Sequence, residues 1–102
     1  MLDLVEIFKK MDEDDRAREG RRRGVHYEDF IAEVQRHAEY EIVDEESSGT
    51  DTWYHYIREI ALCDGKHYRV FLECENEGSR VLVEEVKKVV PEEYTAIRWN
   101  TV

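Results

Sequence analysis

Five side chains between residues 53 and 75 are of the types that carry acid–base and phosphate chemistry. If this segment folds as a hairpin, strand alternation places all five on one face in the register predicted below. A histidine, a carboxylate and an arginine held close together could serve as general base, orienting group and phosphate clamp. The five residues are His55, Glu59, His67, Arg69 and Glu73.

A structural interpretation of the same residues is simpler. Glu59 lies opposite Arg69 in the predicted hairpin, and opposite charges at such positions form an ordinary cross-strand pair. The sequence contains no serine elbow, phosphate-binding loop or zinc-hydrolase motif. We therefore predict that the protein is not an enzyme.

Possible metal ligands in this segment lack the spacing of a metal site. Cys63 and His67 flank the turn, but the sequence has no C-x2-C or H-x3-H pair of the kind that zinc sites use. His67 and Cys74 are predicted to face opposite sides of the hairpin. The acidic residues also lack the spacing of a calcium-binding loop. We predict no metal site, no cofactor and no small-molecule substrate.

The net charge of −10 is unevenly distributed. Residues 16–24 carry five arginines and one glutamate. Such an arm could lie along nucleic-acid phosphates through Arg21, Arg22 and Arg23. However, no aromatic residue for base stacking lies among these arginines, and the flanking regions are acidic. Nucleic-acid binding is therefore a weak alternative, since the arginines could equally balance the neighbouring acids.

Residues 25–51 carry nine acidic residues and one arginine. Rows of carboxylates could imitate a phosphate backbone and so inhibit a DNA- or RNA-binding enzyme, although a solvated acidic face is the more common explanation. The residues that would form this acidic surface are Glu28, Asp29, Glu33, Glu41, Glu45 and Glu46.

Trp53, Ile57 and Phe71 form an apolar stripe on the same predicted hairpin face, beside His55 and His67. Exposed apolar patches mark protein interfaces, and Trp and Phe are effective anchors in them. We therefore predict an accessory or regulatory protein that binds another protein, or a second copy of itself, through these five residues.

The hairpin itself is indicated by Asp64-Gly65, which separates two runs of β-branched and aromatic residues. A two-residue turn at Asp64-Gly65 would place Glu59 and Val70 on one face. A three-residue loop would instead pair Ile60 with Tyr68 and collect an almost wholly apolar face. Because the sorting of side chains normally fixes register, we predict the three-residue loop.

The remaining elements follow from hydrophobic periodicity. Apolar residues predict a helix in residues 1–15, followed by an Arg-rich linker at 16–24. Residues 27–38 have the spacing of a second helix, residues 40–42 that of a short strand, and residues 44–51 the composition of a loop. Residues 79–90 fit either a third strand, which we favour, or a helix. Pro91 then suits the start of a short C-terminal helix.

These elements predict an α+β domain spanning residues 1–102, with an antiparallel three- or four-stranded meander and helices packed on one face. The two cysteines lie far apart in the predicted hairpin, which favours free thiols and a cytoplasmic setting. Asp3 and Glu6 interrupt the N-terminal apolar stretch, so we expect no secretory signal. No stretch approaches the ~20 apolar residues of a membrane span.

Overall fold

The computed structural model describes residues 3–19, 25–78, 80–92 and 98–101. Within these residues, two helices and six strands follow one another along the chain. They are α1 (Leu4–Glu19), β1 (Val25–His26), α2 (Tyr27–Gln35), β2 (Tyr40–Thr50), β3 (Tyr54–Cys63), β4 (Lys66–Glu75), β5 (Val81–Glu92) and β6 (Arg98–Thr101).

All six strands belong to one antiparallel sheet. The strand order is β1-β5-β4-β3-β2, and β6 pairs with a second part of β5. β2 therefore forms one edge of the sheet, while the short strands β1 and β6 lie at the other. The predicted meander of three or four strands with a C-terminal helix is wrong, because the described chain is mostly sheet.

Two segments account for this difference in fold class. The acidic and Ser/Gly-rich stretch predicted as a loop continues β2 as far as Thr50, with irregularities in pairing after Ile42 and after Ser47. An edge strand accommodates such residues because much of it faces water. Residues 81–92 form β5, in which Pro91 lies opposite Trp99 and does not begin a helix. Tyr94 and Ile97, expected in that helix, lie outside the described residues.

The β3–β4 hairpin has a two-residue turn, so the predicted three-residue loop is also wrong. Asp64 and Gly65 have φ values of 52° and 74°, as a type I′ turn requires. Glu59 consequently lies opposite Val70, and Cys63 opposite Lys66. The observed register differs from the predicted one by one residue. Residues of β3 and β4 that were predicted to share a face therefore lie on opposite faces of the sheet.

The two faces of the sheet differ in whether the helices pack on them. The helix face, against which both helices pack, carries buried side chains such as Tyr68 and Val70 of β4 and Val83 of β5. The far face carries the alternate residues, including Phe71. Pairing across the strands fixes these assignments, since opposite residues share a face.

The amphipathic helix predicted over residues 27–38 is confirmed as α2, although it ends at Gln35, and its Phe30 and Val34 are fully buried against the helix face. The ring of Phe30 meets Phe8 of α1 edge to face, with centroids 6.4 Å apart. Asp3 caps α1 by accepting the Val5 N–H at 2.9 Å. α1 extends to Glu19, beyond the predicted end of the first helix and into the segment predicted as a linker.

Candidate functional site

An apolar groove lies between α2 and the edge strand β2. α2 packs its buried side chains towards the centre of the helix face and leaves part of β2 uncovered. The resulting groove has a volume of about 450 Å³. It is lined by Tyr27, Glu28, Ile31, Ala32 and Gln35 of α2 and by Tyr40 and Ile42 of β2.

Ile42 and Val43 are large apolar residues that remain exposed beside this groove. Ile42 is 51% exposed and Val43 is 41% exposed. Ile42 lies opposite Ala61, and the next paired residue of β2 is Asp44, so that Val43 occupies a bulge in the ladder. Bulges in edge strands re-aim side chains and interrupt regular pairing. Two consecutive apolar residues are thereby presented at the edge of the sheet.

A buried carboxylate joins the two walls of the groove. Glu59 of β3 is only 3% exposed. The Tyr27 hydroxyl lies 2.9 Å from both carboxylate oxygens of Glu59, and the Tyr40 hydroxyl donates to its Oε2 at 2.5 Å. Because Tyr27 belongs to α2 and Tyr40 to β2, this cluster connects the helix to the edge strand through β3.

The electrostatics of the cluster keep the two phenols as hydrogen-bond donors. Burial, and then the negative charge of Glu59, raise the pKa of Tyr27 and of Tyr40 well above the ordinary value. Burial also raises the pKa of Glu59, while hydrogen bonds from the two tyrosines act in the opposite direction. Its carboxylate oxygens are already engaged by hydroxyl groups, which makes the cluster a structural clamp. We call it the Tyr27–Glu59–Tyr40 clamp.

The edge strand beside the groove is strongly acidic. β2 contains four carboxylates and no basic residue. Glu45 lies opposite Glu59 and therefore on the helix face, while Glu41 and Glu46 are on the far face. All three are exposed. An apolar groove thus adjoins a negatively charged strand edge.

The structure does not bring together the five residues predicted as an interface. Ile57 and His55 lie on the helix face, whereas Phe71 and His67 lie on the far face. Trp53 is 71% exposed in the connection between β2 and β3. The change of register separates Ile57 from Phe71, which the predicted register places on the same face.

Local contacts of these residues differ accordingly. His55 Nδ1 is 2.8 Å from Asn76 Oδ1. Phe71 stacks on Tyr56 with ring centroids 5.9 Å apart. The connection that holds Trp53 is fixed by Asp51, whose Oδ1 accepts the Trp53 N–H at 2.9 Å. Trp53 is therefore an exposed aromatic residue at one end of the sheet.

The residues considered for acid–base chemistry are also divided between the two faces. His55 and Glu59 lie on the helix face, while Arg69 and Glu73 lie on the far face with His67. Arg69 Nη1 donates to Thr101 Oγ1 at 3.3 Å. In the described part of the chain, no group of three or more histidine, cysteine or acidic side chains is placed to hold a metal ion.

The predicted acidic surface consists of two groups on either side of the groove. Glu28 and Asp29 are exposed on α2. Glu33, also on α2, is engaged by Arg36 at 3.1 Å and by the His37 ring at 3.5 Å. Glu41, Glu45 and Glu46 form the second group on β2. Arg21, Arg22 and Arg23, predicted as a nucleic-acid arm, lie outside the described residues.

Sequence reasoning missed the groove and its clamp. Tyr27 begins the apolar stripe of α2, and Tyr40 alternates with Ile42 in β2, which are signals for core positions. Glu59 interrupts an otherwise largely apolar run in β3. A carboxylate in such a run, two tyrosines and an edge strand could have suggested a buried hydrogen-bonded group.

No protein-family model, curated protein or solved structure matches the chain. Among the described helices, none has the length and apolar character needed to cross a membrane.

Proposed function

We propose that the protein is a non-enzymatic module that binds a basic protein through the groove between α2 and β2. The observation that carries this proposal is the exposure of Ile42 in an apolar groove at an acidic edge strand. Exposed apolar surface bordered by charge is typical of protein interfaces. The acidic residues of β2 favour a partner of opposite charge.

The clamp supports this proposal because it fixes the distance between the two walls of the groove. Tyr27 on one wall and Tyr40 on the other bind the same carboxylate. A site held in its binding conformation loses less conformational entropy when a partner binds. The groove therefore has a preformed shape, and binding does not require α2 to move.

The charge of the chain supports a basic partner in particular. The net charge is −10, and the segment 25–51, which contains both walls of the groove, is the most acidic part of the chain. Complementary charge speeds association and weakens as salt screens it. Binding through the groove should accordingly combine an apolar contact that tolerates salt with an electrostatic contribution that does not.

A substitution that fills the groove tests the proposal. Ala32 is exposed and lines the groove, so Ala32→Trp should occupy it while leaving the buried face of α2 intact. Thr52→Trp introduces the same side chain at an exposed position beside Trp53 and serves as the matched control. Circular dichroism and thermal unfolding verify that both variants are folded.

The measurement is capture of partner protein from an extract of the protein's own cells, compared between the two variants. We expect Ala32→Trp to abolish the captured basic band and Thr52→Trp to retain it. Retention by Ala32→Trp together with loss by Thr52→Trp would place the interface at the Trp53 end of the sheet and refute the proposal. A captured second copy of the chain in place of a basic protein would refute the proposed partner.

A further inference from the structure

Among the described strands, β3 alone pairs with β2, and the outer side of β2 lies beside the groove. β2 is eleven residues long. The outer side of an edge strand offers backbone N–H and C=O groups to another strand. Because the groove opens on the helix face of the same strand, one ligand could contact the edge and the groove together.

We infer that the basic partner presents an extended segment, which adds to the sheet as a further strand beside β2. This inference rests on the proposed function and specifies the form of the partner. Strand addition uses main-chain hydrogen bonds for affinity and pockets for alternate side chains for specificity. β2 supplies the edge, and the groove between α2 and β2 supplies the pocket.

Pairing geometry specifies the side chains of the added strand. Side chains directly opposite one another in adjacent strands lie about 5 Å apart and on the same face. Beside Ile42, the segment should therefore carry an apolar residue that enters the groove. Further along the helix face, beside Glu45, it should carry lysine or arginine. Glu41 and Glu46 favour basic residues on the far face.

A second copy of β2 fits this edge poorly. Two β2 strands side by side would bring together eight carboxylates with no basic residue from either strand. Like charges opposite one another destabilise strand pairing. The acidic side chains thus oppose self-association at the edge while remaining complementary to a basic segment.

The inference can be tested with a displayed library of random peptides, each about 12 residues long and so able to span the edge strand. Peptides are selected on the intact protein and depleted on Ala32→Trp. We expect the retained peptides to be basic, with an apolar residue for the position beside Ile42 and lysine or arginine for the positions beside Glu41, Glu45 and Glu46. A retained peptide is then synthesised with N-methyl groups on alternate amides, which removes one row of backbone donors but preserves charge and composition.

N-methylation on the row that faces β2 should weaken binding by at least about tenfold, because several main-chain hydrogen bonds are lost together. Methylation of the other row serves as the control and should leave a measurable affinity. Equal affinity of the parent peptide and both methylated forms would overturn strand addition. A selection that retains no peptide on the intact protein would overturn it as well.

Charge substitutions on the protein provide a second test with the same peptide. Replacing Glu41, Glu45 and Glu46 by Gln should weaken binding by about tenfold, given a factor of roughly 1.4 to 5 for each exposed pair. The matched control makes the same change in net charge on α1, which packs against β5, β1 and α2. It replaces Glu6 and Glu13 by Gln and Asp14 by Asn.

The control should change affinity by less than about twofold, since distant exposed charges are screened. Equal losses in the two triple variants would show that only net charge matters and would overturn the inference. Peptides that require an open groove but tolerate N-methylation would refute strand addition and leave the proposed function standing. Peptides and protein partners that bind Ala32→Trp normally would refute both.

Discussion

Tyr40→Phe removes one hydroxyl from the Tyr27–Glu59–Tyr40 clamp and nothing else. In the native protein this hydroxyl donates to Glu59 Oε2 at 2.5 Å, beside a carboxylate that is 3% exposed. Hydrogen bonds to charged groups contribute roughly 1.5–3 kcal/mol to stability. Because Tyr27 still contacts both carboxylate oxygens at 2.9 Å, Glu59 retains a donor in the variant. We therefore expect Tyr40→Phe to lower the free energy of unfolding by about 2 kcal/mol, in the lower half of that range.

Urea unfolding at neutral pH measures this loss directly. For a domain of this size, 1 kcal/mol corresponds to a change in Tm of about 4–8 °C. The melting temperature of Tyr40→Phe should therefore fall by roughly 8–16 °C. Tyr27→Phe, on the other wall of the groove, should have an effect of the same sign.

The loss of stability in Tyr40→Phe should also depend on pH, and the pKa of Glu59 determines the direction of this dependence. Burial raises the folded-state pKa of Glu59 above its unfolded value, so its contribution to stability is fully present below the unfolded pKa of about 4.3 and is lost as pH rises through the folded pKa. The Tyr40 bond lowers this folded pKa, and removing the bond raises it further. The difference in stability between wild type and Tyr40→Phe should therefore be smallest below the unfolded pKa and grow as pH rises through the folded-state pKa of Glu59.

Glu59→Gln provides the background that isolates the carboxylate. In Glu59→Gln, adding Tyr40→Phe should produce a smaller loss with no such dependence on pH, because the titrating group is absent. A loss below about 0.5 kcal/mol for Tyr40→Phe alone would refute the clamp as a stabilising contact. If Tyr40→Phe lowers stability by the same amount at acidic and at neutral pH in the wild-type background, the assigned role of the Glu59 charge is refuted.

Three further outcomes follow from the fold. Gly65→Ala should lower the free energy of unfolding, measured in urea, by about 1 kcal/mol, because Gly65 has a φ of 74° in a turn that needs left-handed backbone. An unchanged midpoint of urea unfolding would contradict the type I′ turn. Cys63 and Cys74 are buried, and burial raises the pKa of both thiols, so an aromatic disulfide reagent should modify them slowly until urea unfolds the protein. Rapid labelling of both in the native state would contradict their burial. Phe30→Ala should cost about 3–5 kcal/mol by calorimetry, as Phe30 is fully buried against Phe8, and a loss below 1 kcal/mol would place it outside the core.

Local patterns predicted α2 well because its apolar stripe matches the helical repeat. Phe30 and Val34 occupy the buried positions that this spacing implies. The hairpin was also evident in Asp64-Gly65, but its register was not. Both registers placed many apolar residues together, and the prediction ranked them by that sorting. The left-handed conformation of Asp64, which decides the turn, leaves no mark in a hydrophobic pattern.

The candidate site was harder to predict because it depends on contacts between distant elements. Tyr27, Tyr40 and Glu59 are separated by 13 and 19 residues, and their meeting requires α2 to cross towards β2. The groove exists because α2 covers the edge strand incompletely. The hydrophobic pattern did not distinguish Ile42 from a core residue, because the sequence does not show whether an isoleucine is exposed or buried.

The central claim is that a partner lies in the groove between α2 and β2, and site-specific photocrosslinking tests it most directly. A diazirine-bearing amino acid replaces Gln35, which lines the groove and is exposed, and a second protein carries it at Thr52. Both are irradiated in an extract of the protein's own cells, and crosslinked peptides are identified by mass spectrometry. We expect position 35 to crosslink to a lysine- or arginine-rich segment of another protein, and position 52 to give no such product. Crosslinks from position 52 with none from position 35 would contradict the claim.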